Sequence, residues 1–115
     1  MAGADLRRYP RVPITRPVSI RTSSGALVRA RLVNISQDGV AVSYESPAEI
    51  GATLELAFTL QVRGREIELR ERCVARYNHL GGQGYIIGFQ FVELEAGARE
   101  NLREYIAIKR SLQDQ

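Results

Sequence analysis

Arg7-Arg8-Tyr9-Pro10-Arg11 places three guanidinium groups within five residues. Each carries five donors in a planar fork that matches phosphate oxygens or the O6/N7 edge of guanine, and it can stack on a purine face. Pro10 holds the stretch extended, with three residues between Arg7 and Arg11. A mobile arm of this kind can wrap a guanine nucleotide. A basic tail that aids solubility fits the same residues. The second candidate is Asn34-Ile35-Ser36-Gln37-Asp38-Gly39. If the preceding strand continues, Asn34 and Ser36 share a side. The Asn34 amide then offers acceptor and donors to a base edge, and the Ser36 hydroxyl can donate to a phosphate. Gly39 allows a positive φ or a close backbone approach. A hairpin turn closed by an Asx-type bond from Asn34 fits the same six residues.

Other chemistry finds little support. The single histidine, His79, sits in a Gly-rich stretch read as an exposed loop, with no nucleophile near it in sequence. The single cysteine, Cys73, falls on the apolar face of a strand, where a buried inert thiol is expected. It leaves no partner for a disulfide and no cysteine-based zinc site. Glu66 and Glu68 share a strand face, but the polar one. Gly82-Gln83-Gly84 precedes a strand, not the helix a dinucleotide fingerprint requires. Asn34-Ile35-Ser36 matches the glycosylation sequon, and nothing in the sequence indicates secretion. No enzyme activity, metal or cofactor is expected.

The elements that must position these residues are short strands. The chain has 115 residues, the length of one domain with one modest core. Hydrophobic residues make up 44% and charged residues 25%, ordinary for a globular protein. No apolar run is long enough to span a membrane and the first residues lack the apolar core of a signal peptide, so a cytoplasmic protein is expected. The net charge of +3 hides an asymmetry. Residues 1–31 hold seven arginines against Asp5, whereas the other 84 residues hold nine basic and twelve acidic side chains. Positive charge gathered at one end suggests an anionic partner.

Residues 1–12 read as a flexible basic arm and 13–115 as one domain. Alternation and turn formers predict strands over about 18–21, 26–33, 40–44, 54–62, 65–77 and 85–92. Leu54, Leu56, Phe58, Leu60 and Val62 alternate without a break. In the next strand Ile67, Leu69, Cys73, Ala75 and Tyr77 share a face, and Glu71 interrupts it, which predicts a bulge or bend near Glu71. The period then changes. Ala98, Leu102, Tyr105, Ile106 and Leu112 form one stripe of an amphipathic helix over about 95–111. The expectation is a mainly β protein, an antiparallel barrel or sandwich, with a C-terminal helix packed against it.

An Arg-x-x-x-Arg arm, a strand, and Asp/Asn-x-Ser-x-x-Gly in a tight loop together resemble the PilZ domain family. Arg7 and Arg11 match the first motif, and Asn34, Ser36 and Gly39 match the second. Arg-Val-Pro after the first motif and Ile87-Gly88-Phe89-Gln90-Phe91-Val92 are further echoes, so the likeness runs from Leu6 to the final helix. The resemblance implies a six-stranded antiparallel β-barrel that binds cyclic di-GMP, a bacterial second messenger with two phosphates and two guanines. The arm would wrap the ligand from one side and the loop would meet it on the other. In this family the residue before the first motif arginine influences how many nucleotides bind. Here it is Leu6, which implies one ligand per chain, while Arg8, one residue inside the motif, could be swung toward a second guanine by a flexible arm.

The leading expectation is a stand-alone receptor. It binds cyclic di-GMP through Arg7, Arg8, Arg11, Asn34, Ser36 and Gly39, and it signals to an unidentified partner protein as the arm orders. The first alternative is a nucleic-acid-binding barrel. The arm favours it, but the strands lack a basic, aromatic stacking platform, and no stable nucleic-acid binding is expected. The second is an adaptor that binds protein and no nucleotide, for which damaged motifs would be the sign.

Overall fold

The computed structural model describes residues 9–113. Six strands, β1 (Val12–Arg21), β2 (Leu27–Ile35), β3 (Gly39–Tyr44), β4 (Thr53–Val62), β5 (Arg65–Gly81) and β6 (Gly84–Phe91), precede one helix, α1 (Ala96–Gln113). All strand pairs are antiparallel, and the sheet closes on itself in the order β1-β2-β3-β6-β5-β4. Alternation explains why. In β4, Leu56, Phe58, Leu60 and Val62 are buried while Gln61 is exposed, the period-2 signature of a half-buried strand. Arg63 and Gly64 join β4 to β5 with φ of 53° and 75°. Two consecutive positive φ values suit a two-residue hairpin turn whose twist matches the flanking strands.

Three single-residue bulges shape the ring. Each is a register shift: between Pro13 and Arg16 in β1, between Leu32 and Asn34 in β2, and between Ala75 and Tyr77 in β5. A bulge turns the residues after it to the other face. The bulge expected near Glu71 is absent. Glu71 pairs with Leu56 in unbroken register. It is tolerated on the inner side because β5 has left the β6 edge there. Pairing with β6 starts at Cys73, so Glu71 stays half-exposed. Burial, and then the nearby Glu95, raise its pKa. The actual bulge at Arg76 corrects a second expectation. Tyr77 is not on the apolar face with Cys73 and Ala75 but on the outer one. β5 also runs on to Gly81, so His79 lies in a strand rather than a loop, though exposed as expected.

The core lies inside the ring. Val12, Leu32, Ile35, Leu56, Leu60, Cys73 and Ile87 belong to one cluster with Leu102, Tyr105 and Ile106 of the helix. β1 begins at fully buried Val12, six residues before the expected start. β1 meets β4 only over residues 19–21 and 55–57. The helix lies against β4 and β1 and covers what that short contact leaves open. Each buried leucine or isoleucine stabilises the fold by about 1.5–3 kcal/mol relative to exposure. Leu112, expected on the buried stripe, is exposed, because α1 runs past the core beyond Ile106. No described helix is long and apolar enough to cross a membrane.

Candidate nucleotide-binding site

Asn34, Ala41, Gly88 and Tyr77 are successive cross-strand partners on β2, β3, β6 and β5. Their neighbours Ile35, Val42, Ile87 and Ala75 fill the core, so this row faces outward. Its two middle members are small. A Cβ on Gly88 would collide with the Tyr77 ring, so the glycine lets the ring lie flat on β6. The result is a polar or aromatic group at each end of a shallow floor.

Arg11 spans that floor. Its Nη1 donates to Asn34 Oδ1 at 3.1 Å and to the Tyr77 hydroxyl at 3.2 Å. These partners are 23 and 66 residues away in sequence. Both acceptors are neutral, so the guanidinium is oriented without losing its charge. Next to it opens a cleft of about 230 Å3, lined by Arg11, Asp38, Gly39, Arg76, Tyr77 and Gln90. A second cleft of about 240 Å3 shares Asp38 and is lined by Tyr9, Gln37 and Arg99. The His79 ring stands 4.7 Å from that of Tyr77.

The β2–β3 loop is held from within. β2 ends at Ile35, so the condition that would align Asn34 with Ser36 is not met. Ser36 is 2% exposed. Its hydroxyl donates to the Asp38 carboxylate at 2.8 Å and accepts from the Asp38 N–H at 3.2 Å. The Ser36 N–H donates to the Gly39 carbonyl at 2.9 Å. Ser36, rather than Asn34, therefore closes the turn, and Asn34 is left to hold Arg11. The Phe91 N–H donates to the Asp38 carbonyl at 2.9 Å, which ties the loop to β6. Gly39 is required by close approach and not by positive φ: a Cβ there would collide with the Phe89 carbonyl oxygen.

Among the sequence-predicted residues, Arg11 and Asn34 touch, Gly39 lines the same cleft, and Ser36 lies buried beneath the loop. Arg7, Arg8 and Leu6 lie outside the described residues. Tyr77, Arg76 and Gln90 were not expected at the site, and Asp38 was read as part of the candidate loop without a role of its own. Gly88 was the available signal, since a glycine inside a strand marks a bulge or a close approach.

A larger cleft, about 340 Å3, opens on the outer face of β1, β2, β4 and β5, and Arg21, Arg29, Glu55, Glu68 and Arg70 are among its lining residues. Two of its three arginines are paired with carboxylates. Arg21 and Arg70 pair with Glu55, and Arg70 with Glu68. Among the described residues no group of three or more His, Cys, Asp or Glu side chains could hold a metal ion. The Cys73 thiol, buried in the core, is pushed up to about 12, first by burial and then by Glu71, and is no nucleophile.

Comparison with known proteins places this geometry. No curated protein sequence matches the chain significantly. Among solved structures, the inhibitor of motility of Bacillus subtilis (MotI/DgrA) is 22% identical with a TM-score of 0.82, over 95% of this chain and 53% of that one. YcgR of Escherichia coli, in complex with c-di-GMP, is 15% identical with a TM-score of 0.76, over 94% of this chain and 48% of that one. The complex of MrkH from K. pneumonia with c-di-GMP is 18% identical with a TM-score of 0.71, over 95% and 55%. The chain thus spans about half the length of these proteins, and at such identities the likeness is one of fold. The PilZ domain model matches residues 5–107, from the basic N-terminal stretch into α1. With that match covering most of the chain and both motif segments inside it, the chain belongs to the PilZ domain family.

Proposed function

We propose that this chain is a receptor for cyclic di-GMP, acting in a bacterial cytoplasm, that passes its signal to a partner protein and catalyses no reaction. The observation that carries the reading is the Arg11 guanidinium. It is fixed by Asn34 and Tyr77 beside an open cleft, and no carboxylate among the described residues pairs with it. A pre-oriented cation with no carboxylate bonded to it favours an anionic ligand, because little ordering is left to be done on binding.

On this reading the site residues take the following roles. Arg11 meets a phosphate or a guanine O6/N7 edge. The Tyr77 ring, flat on Gly88, offers a face to a base. Asn34 orients Arg11, and Ser36 holds the loop in shape from below. Arg7 and Arg8 close over the ligand from the N-terminal side. The closed arm changes the surface that a partner reads, with α1 as the candidate contact element. Leu6 offers neither charge nor a planar group for a second, stacked nucleotide, so one ligand binds per chain.

Calorimetric titration with cyclic di-GMP tests this. Saturable binding at about one ligand per chain is expected, with more in Leu6→Arg. Absence of nucleotide binding would overturn the reading. So would preferential binding of duplex or oligonucleotide with a steep salt dependence, which would make the chain a nucleic-acid binder.

A further inference from the structure

Arg76 is the extra residue of the β5 bulge, and neither sequence motif includes it. It is exposed, immediately precedes Tyr77, and lines the same cleft as Arg11. Gln90 approaches from β6, where it pairs with Gly39. Arg76 Nε donates to Gln90 Oε1 at 2.7 Å. A guanidinium has no acceptor, so this bond fixes the amide: its oxygen faces Arg76 and its NH2 is directed elsewhere. The pair keeps the four N–H donors on Nη1 and Nη2 and the two on Gln90 Nε2. It offers a ligand donors at these nitrogens, with its one carbonyl oxygen already engaged.

The purines differ in what they return. Guanine presents two acceptors, O6 and N7, along one edge, whereas adenine presents N7 beside the N6 amino donor. A donor-only pair satisfies guanine at both atoms and sets donor against donor at adenine N6. The same cleft holds the complementary group. Asp38 lines it, and a carboxylate accepts from the N–H groups of guanine's other edge. At about 230 Å3 the cleft is smaller than a pocket for a whole drug-sized ligand, and it suits one base rather than a dinucleotide.

Resting on the cyclic di-GMP reading above, we propose that Arg76 and Gln90 form a guanine-reading pair that gives the site its selectivity for guanine over adenine. The bulge brings the pair there: without the extra residue, Tyr77 would point inward and the cleft would lose its aromatic side.

The test is a set of competition titrations of wild type, Arg76→Ala and Gln90→Glu with cyclic di-GMP and with cyclic di-AMP. Arg76→Ala should lose cyclic di-GMP affinity roughly tenfold to hundredfold, while cyclic di-AMP affinity stays within about twofold, so that selectivity collapses. Gln90→Glu keeps a partner for Arg76 but replaces the amide donors with acceptors, and should lower selectivity in the same direction. Equal losses for both nucleotides in Arg76→Ala would make Arg76 a phosphate contact and overturn the proposal, and unchanged affinity for both would make it a bystander. Absence of cyclic di-GMP binding in wild type would overturn the reading of the site itself, a result distinct from retained binding with unchanged selectivity in the variants.

Discussion

The barrel carries arginines on two outer faces, and the partners they have there differ in kind. On the β1–β2–β4–β5 face, Arg21 lies 3.5 Å from Glu55, and Arg70 lies 3.7 Å from Glu55 and 3.3 Å from Glu68. On the β2–β3–β6–β5 face, Arg11 is held by the Asn34 amide and the Tyr77 hydroxyl, and Arg76 by the Gln90 amide. Both faces orient cations, but only on the first are arginines, Arg21 and Arg70, paired with carboxylates, while Arg29 beside them is in no ion pair among the described residues. Exposed ion pairs contribute about 0–1 kcal/mol to stability, and an anion arriving there must compete with carboxylates already in place. Where the partners are neutral, the field is left for a ligand. Cavity size alone would favour the first face over the second.

The largest expected effect breaks the comparison at its centre. Arg11→Ala removes charge-assisted hydrogen bonds worth about 1.5–3 kcal/mol, a tenfold to hundredfold loss of cyclic di-GMP affinity. Arg21→Ala, on the ion-paired face, should leave affinity within about twofold. Paired titrations at one salt concentration check this, and similar losses in both variants would erase the distinction between the faces.

Gly39→Val sharpens it. The new side chain must push against the Phe89 carbonyl, so destabilisation of about 1–3 kcal/mol and weaker binding should appear together. Gly82→Ala, at a position with nothing within 4 Å of the added Cβ, should change neither. Chemical denaturation and titration of the two variants separate these outcomes.

The smallest effect concerns Glu71, half-buried beside Glu95 and away from the cleft that Arg11 lines. Its folded-state pKa is raised above the ordinary 4.5, by burial first and Glu95 second. The penalty of its charge is therefore absent at low pH and develops as pH rises through the carboxylate range. Glu71→Gln should be slightly more stable than wild type at pH 7, by less than about 0.5 kcal/mol for so solvated a group, and equal to it below pH ~4. Affinity for nucleotide should not move. A gain that grew toward low pH would contradict the sign.

Local patterns in the sequence announced much of this molecule. The unbroken alternation of β4 and the change of period at α1 follow from how side chains alternate on strands and recur on helices, and both are present in the structure. Asn34 was legible as a site candidate from its spacing to Ser36 and Gly39. What makes it useful, the bond from Arg11, depends on β1 lying beside β2. Tyr77 was misplaced for a physical reason. One extra residue at Arg76 reverses every face after it, and periodicity read along a single strand carries no trace of an insertion that only the partner strand reveals. Ser36 was legible as a residue but not as a role, because its burial is set by the loop folding back onto β6.

The most direct test of the central claim, that the face with neutral partners is the ligand face, is a two-dimensional amide NMR titration of the whole chain with cyclic di-GMP. The account predicts that the shifting amides cluster at Arg11, Asn34, Gly39, Tyr77 and Gly88, while those of Arg21, Glu55 and Arg70 stay in place. Shifts concentrated around Glu55 and Arg70, with the Arg11 to Gly88 row unmoved, would contradict it.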